Sequence, residues 1–134
     1  MAIKLKPKTV GPILVKSSGS DVLYSFDDPE SLTPAPPAQF PSHTLMASLG
    51  ACYLVSMKRV AEQKAIQLPS FTIEITSISS TDLQIRIARM KVVISGLQLE
   101  DQALSDEIVK KAKSMCTVGN TLNCGIETIL ENAR

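Results

Sequence analysis

Few side chains in this sequence are able to do chemistry. Cysteine stands at positions 52, 116 and 124, and His43 is the only histidine. One histidine excludes a multi-histidine metal site within a single chain. Three cysteines with no C-x-x-C spacing do not make a zinc site either. No G-x-S-x-G, no P-loop and no G-x-G-x-x-G occurs, so neither an acyl-transfer elbow nor a phosphate cradle is present. No cofactor or metal is expected. The chemistry left is that of sulfur, which two thiols perform together when they pass between dithiol and disulfide.

Those thiols must be positioned by the elements around them. The first 26 residues read as short strands at Ile3–Leu5, Ile13–Lys16 and Val22–Phe26, with Ser18-Gly19-Ser20 turning between the last two. From Asp27 to Pro41 five prolines replace strand signals with an extended loop. A helix is expected over Ser42–Lys64, with Ser42 or Thr44 as its cap. Two strands follow, Phe71–Ile78 and Leu83–Ser95, and a shift in apolar phase in the second predicts a bulge near Ala88–Arg89. A second helix is expected over Glu100–Met115 and a final strand over Ile126–Leu130. The class is α+β with antiparallel pairing and two main helices, and residues 1–134 read as a single domain.

Composition narrows the setting. Hydrophobic residues make up 44% of the chain and charged ones 20%, with a net charge of +1. That balance is globular, and it gives no basic patch for nucleic acid or an anionic membrane. The longest apolar run, Leu45–Met57, is shorter than the roughly 20 residues a membrane span needs. The opening residues lack the apolar stretch of a signal peptide, and three free cysteines fit a reducing compartment. A soluble, cytoplasmic protein is expected.

Cys52 sits mid-way along the first helix and Cys116 continues the buried stripe Leu104–Ile108–Ala112 of the second. Two cysteines pointing inward from separate helices can meet in space. They can equally be packing residues, since free cysteine buries as a small hydrophobe. Cys124 has the same two readings, an alternative resolving thiol or a packing residue beside Gly125. The first helix is apolar nearly all round, and a chain this short cannot enclose it. A second subunit is expected to cover one face.

Two segments carry a resemblance to a known family. Pro41-Ser-His-Thr-Leu-Met-Ala-Ser-Leu-Gly-Ala-Cys52 resembles the first-cysteine helix of the OsmC/Ohr proteins, and Met115-Cys116-Thr-Val-Gly-Asn-Thr-Leu122 resembles their second-cysteine motif. The order of elements is similar as well, from Phe40 to about Leu130. The resemblance implies an intertwined homodimer with the long helices at its centre. It implies peroxiredoxin-type cysteine chemistry in defence against oxidative stress: Cys52 attacks an organic hydroperoxide, Cys116 resolves the product as a redox-active disulfide, and an external dithiol resets the pair. The sequence departs from the family in two places. Ser42 stands where the hydroperoxide-resistance branch has a glutamate, and no arginine precedes Arg59. Candidates to replace that missing pair are Ser42 itself, His43 and Lys16.

Overall fold

The structure is a computed structural model that describes residues 4–131 of the 134-residue chain. Five strands and three helices follow in the order β1 (Thr9–Ser18), β2 (Asp21–Phe26), α1 (Pro41–Gln63), β3 (Thr72–Ser79), β4 (Ile87–Ser95), α2 (Gln102–Met115), α3 (Thr117–Thr121) and β5 (Gly125–Leu130). Of the strand expected at Ile3–Leu5, Ile3 lies outside the described residues and the rest forms no strand. Leu5 is nonetheless held there, because its N–H donates to the Thr81 carbonyl at 2.7 Å.

The strands make one sheet in the order β2-β1-β3-β4-β5. β1 and β2 pair antiparallel across the two-residue turn Gly19–Ser20, where Gly19 takes φ +60°, a conformation cheap only for glycine. The chain then continues into the proline-rich loop, which returns to the sheet at the Tyr24–Thr33 bridge. β1 also pairs with β3, and β3 with β4, both antiparallel. On the second pair Ile78 faces Arg89 while Ser79 faces Ile87, so Ala88 is the extra residue of a bulge.

One strand runs against expectation. β5 pairs with β4 in parallel, Arg89 facing Gly125 and Ile94 facing Leu130, so the sheet is mixed rather than antiparallel. The connection between them contains α2 and α3, and such a crossover returns the chain to its starting end. β4 also begins later than its apolar pattern suggests. Leu83 and Ile85 are 56% and 73% exposed and belong to the bend before it.

Alternation along the strands places Ile13 and Val15, Ile73 and Ile75, and Met90, Val92 and Ile94 on one face. All seven are buried in a single core with α1 and α2. α1 lies against β1 and β3 through Gly50, whose bare Cα lets the helix settle onto Val15 and Ile75. The helix starts at Pro41 with Phe40 as N-cap and no side-chain cap. Thr44 does not cap it; its hydroxyl donates to the Pro37 carbonyl at 2.6 Å and secures the loop. At the other end, Lys58 Nζ donates to the Gly19 carbonyl at 2.8 Å, tying the helix to the β1–β2 turn.

α1 is not fully enclosed. Met46, Leu49, Tyr53, Leu54, Met57 and Val60 are buried, but Leu45 is 37% and Val55 45% exposed. Together with Ser48, the half-buried Cys52 and Arg59 they form one open stripe along the helix. Among the described residues no helix is long and apolar enough to cross a membrane.

Candidate active site

Cys52 reaches the middle of the structure from α1, at the border between the open stripe and the core. Cys116 arrives from the opposite direction. It ends α2 as C-cap, begins α3 as N-cap, and is completely buried. The buried stripe of α2, with Ile108 and Ala112 at its centre, is what turns it inward. The two sulfurs lie close enough for Cys52 to act on Cys116 as a hydrogen-bonding neighbour and as a neighbouring charge.

The environment of Cys116 opposes ionisation. Burial, the largest effect, pushes its thiol up to about 12, and the contact with Cys52 adds to the shift. Against this, the Gly119 N–H donates to Cys116 Sγ at 3.3 Å, and the Val118 N–H acts in the same sense. The sulfur that resists ionisation is therefore the one supplied with two backbone donors.

Tyr53 completes the surroundings. It follows Cys52 on α1, is 1% exposed, and its hydroxyl pairs with Thr128 Oγ1 on β5 at 2.8 Å. Burial raises its pKa most, and charge on Cys116 or Cys52 would raise it further, which places the phenol within the field of both sulfurs. The sequence pattern gave no sign of either Tyr53 or Gly119. Tyr53 reads as one more apolar position, and Gly119 stands in a stretch read as loop. The spacing Cys116 to Gly119, an N-cap and its third helical residue, is the signal that would have found α3.

The other predicted residues are elsewhere. His43 is stacked on Phe26, with ring centroids 4.6 Å apart and planes 11° apart, and lies 4.9 Å from Phe40. That cluster is at the start of α1, about 13.5 Å of helix rise before Cys52. Lys16 follows Val15 on β1 and so projects from the face of the sheet turned away from α1. Ser42 is exposed in the first turn of α1. Cys124 is half-buried and lines a shallow recess with Leu45, Arg86 and Leu122. Among the described residues no lysine, arginine or histidine donates a hydrogen bond to a cysteine sulfur, and no group of three or more His, Cys, Asp or Glu side chains is placed to hold a metal ion.

A family model described as OsmC-like protein matches residues 36–131, the span from the proline-rich loop through both cysteines to β5. The chain belongs to the OsmC-like family. Solved structures with the OsmC-like fold superpose over nearly the whole chain. An OsmC-like protein from Mycoplasma pneumoniae gives a TM-score of 0.62 at 16% identity, covering 100% of both chains. An organic hydroperoxide resistance protein OsmC from Legionella pneumophila gives 0.55 at 16%, covering 92% of this chain and 96% of its own. The organic hydroperoxide resistance protein OhrB of Bacillus subtilis gives 0.54 at 17%, covering 96% and 98%. At these identities the likeness is one of fold. Comparison with curated protein sequences gives no match.

Proposed function

We propose that this OsmC-like chain is a cysteine-based thiol peroxidase that reduces organic hydroperoxides, with Cys52 attacking and Cys116 resolving. The observation that carries the reading is the closeness of the two thiols, with Cys116 fully buried and Cys52 half-buried on α1. The hydroperoxide-resistance names of the Legionella and Bacillus proteins fit the same chemistry.

The Cys52 thiolate displaces alkoxide from the distal peroxide oxygen, forming a sulfenic acid, and the alkoxide takes a proton to leave as alcohol. Cys116 then attacks the sulfenic sulfur; its proton departs with the hydroxyl as water, and a disulfide remains. The donors from Gly119 and Val118 support the charge that develops on Cys116 as it gives up its proton. An external dithiol returns two electrons and two protons, ending as its own disulfide.

The open stripe on α1 is where a second copy would pack. Ser48 and Cys52 keep its centre small while Leu45 and Val55 supply apolar contact, so two such helices can approach closely. We take the working form as a homodimer in the cytoplasm, consistent with three free thiols.

Stopped-flow oxidation of the reduced protein by cumene hydroperoxide tests the reading, with mass spectrometry of the product. The wild type should lose two hydrogens as a Cys52–Cys116 disulfide forms. Cys116→Ser should halt at a sulfenic acid that dimedone traps, and Cys52→Ser should not react. Turnover retained in Cys52→Ser would remove the proposal. A wild type no faster than free cysteine would favour a second reading, a dimer whose thiols act as a slow redox switch or line a ligand site. The raised pKa of Cys116 and the placement of Lys16 and His43 away from the sulfurs speak for that alternative.

A further inference from the structure

The sheet face turned away from α1 carries a recess that the thiol chemistry does not use. It opens at the β4–β5 end of the sheet, with a volume of about 450 Å³, the size of a small-molecule site. Arg89 and Lys91 stand two apart on β4 and so project from the same side, and Thr76 on β3 and Thr9 on β1 add hydroxyls beside them. Ile78, opposite Arg89 in the register and so on the same face, gives the recess an apolar floor.

Two features separate this recess from an ordinary charged surface. Among the described residues the salt bridges are Lys64–Glu107 and Arg86–Asp82, so neither Arg89 nor Lys91 is spent on an internal carboxylate. Glu127 lies opposite Lys91 in the sheet register, leaving the cations in excess by one. The second feature is Gly125, paired with Arg89 across β4 and β5. A Cβ there would stand 3.3 Å from Arg89 Cγ and 3.7 Å from Cδ, so the missing side chain lets the arginine stem lie flat across β5. Arg89 lines the recess, and a guanidinium presents a planar fork that matches a carboxylate.

We infer that this recess binds a small organic carboxylate, its anionic group held by Arg89 and Lys91 with the threonine hydroxyls, and its apolar body resting on Ile78. The ligand class follows from the combination. An inorganic anion would leave Ile78 uncovered, and a neutral molecule would leave the one excess cation without a counter-charge.

Titration of the isotope-labelled protein with benzoate, followed by amide chemical shifts, tests the inference, with benzyl alcohol as the uncharged counterpart. Benzoate should shift residues on β3, β4 and β5 around 76–78, 89–91 and 125–127, and benzyl alcohol should not. Loss of one charge-assisted hydrogen bond weakens binding by about tenfold or more, so Arg89→Gln should raise the benzoate Kd by at least that factor. Gly125→Ala keeps every charge and lifts only the arginine stem, and should weaken benzoate by about threefold, a fraction of one such bond. Both exchanges are at exposed positions and should leave the remaining amide shifts in place. Absence of benzoate shifts in the wild type, equal shifts with benzyl alcohol, or an unchanged Kd in Arg89→Gln would each overturn the assignment.

Discussion

Gly50 sits where α1 presses on the sheet, two residues before Cys52, and replacing it with alanine sets two effects of known sign against each other. Alanine suits a helix interior better than glycine by about 1 kcal/mol, and Gly50 lies well inside the 23-residue α1. Its new methyl, however, would stand 2.7 Å from Val15 Cγ2 and 3.3 Å from Ile75 Cγ1. The first of these is about 0.7 Å short of ordinary van der Waals contact. Val15 is β-branched, completely buried and fixed in β1 between β2 and β3, so it has no rotamer into which to retreat. Overpacking of this kind costs about 1–3 kcal/mol, so Gly50→Ala should be destabilised by about 1 kcal/mol net despite the better helix former. Urea denaturation gives the value. Val15→Ala alone removes buried methyl groups and should also destabilise. The double variant gives the new methyl its space and should be more stable than the sum of the two singles by about 1 kcal/mol or more. A Gly50→Ala protein more stable than wild type, or a double variant that is merely additive, would refute the argument that α1 is seated by the absence of that one carbon.

Two further outcomes are expected. Cys116 holds its proton up to about 12 in the fold, against an ordinary value near 9, so the folded chain binds that proton more tightly than the unfolded one. Its contribution to stability is full below pH 9 and falls as pH rises from there toward 12, so Cys116→Ala should show a shallower loss of stability in urea melts across that window; an equal slope would contradict the burial of the thiol. Tyr53→Phe leaves the Thr128 hydroxyl without its partner and should cost about 1–2 kcal/mol, with faster amide exchange along β5; unchanged exchange there would show that the bond does not anchor the strand.

What could be read from the residues and what could not separates along physical lines. The long apolar run after Pro41 marks α1 without help from the rest of the chain, because only a helix of that length can dispose of so many apolar side chains. The phase change between Ile87 and Met90 gave the bulge at Ala88, since a strand cannot change face without an extra residue. Cys52 and Cys116 were legible as inward-pointing candidates from helical spacing, and the structure brings them together. The parallel pairing of β5 was not legible, because strand direction is decided by where α2 delivers the chain and leaves no mark in the strand itself. The same holds for Leu83 and Ile85, whose apolar alternation continues β4 in the sequence although the chain has already left the sheet. Lys16 and His43 were charged or titratable residues near the right segment. Strand parity turns the first away, and the aromatic rings of Phe26 and Phe40 hold the second.

Cys116 is the hinge pin between two stretches of backbone: it closes α2 and its sulfur accepts the N–H that starts α3. A thiol that is also a cap cannot change its chemistry in private. Any new bond at that sulfur competes with the Gly119 contact, one of the bonds that hold the first turn of α3, beside those of Asn120 to the Cys116 and Ser114 carbonyls. The chain leading on to Cys124 and β5 starts where α3 ends, at Leu122. Chemistry at that one buried sulfur therefore acts on a backbone turn as well as on a thiol.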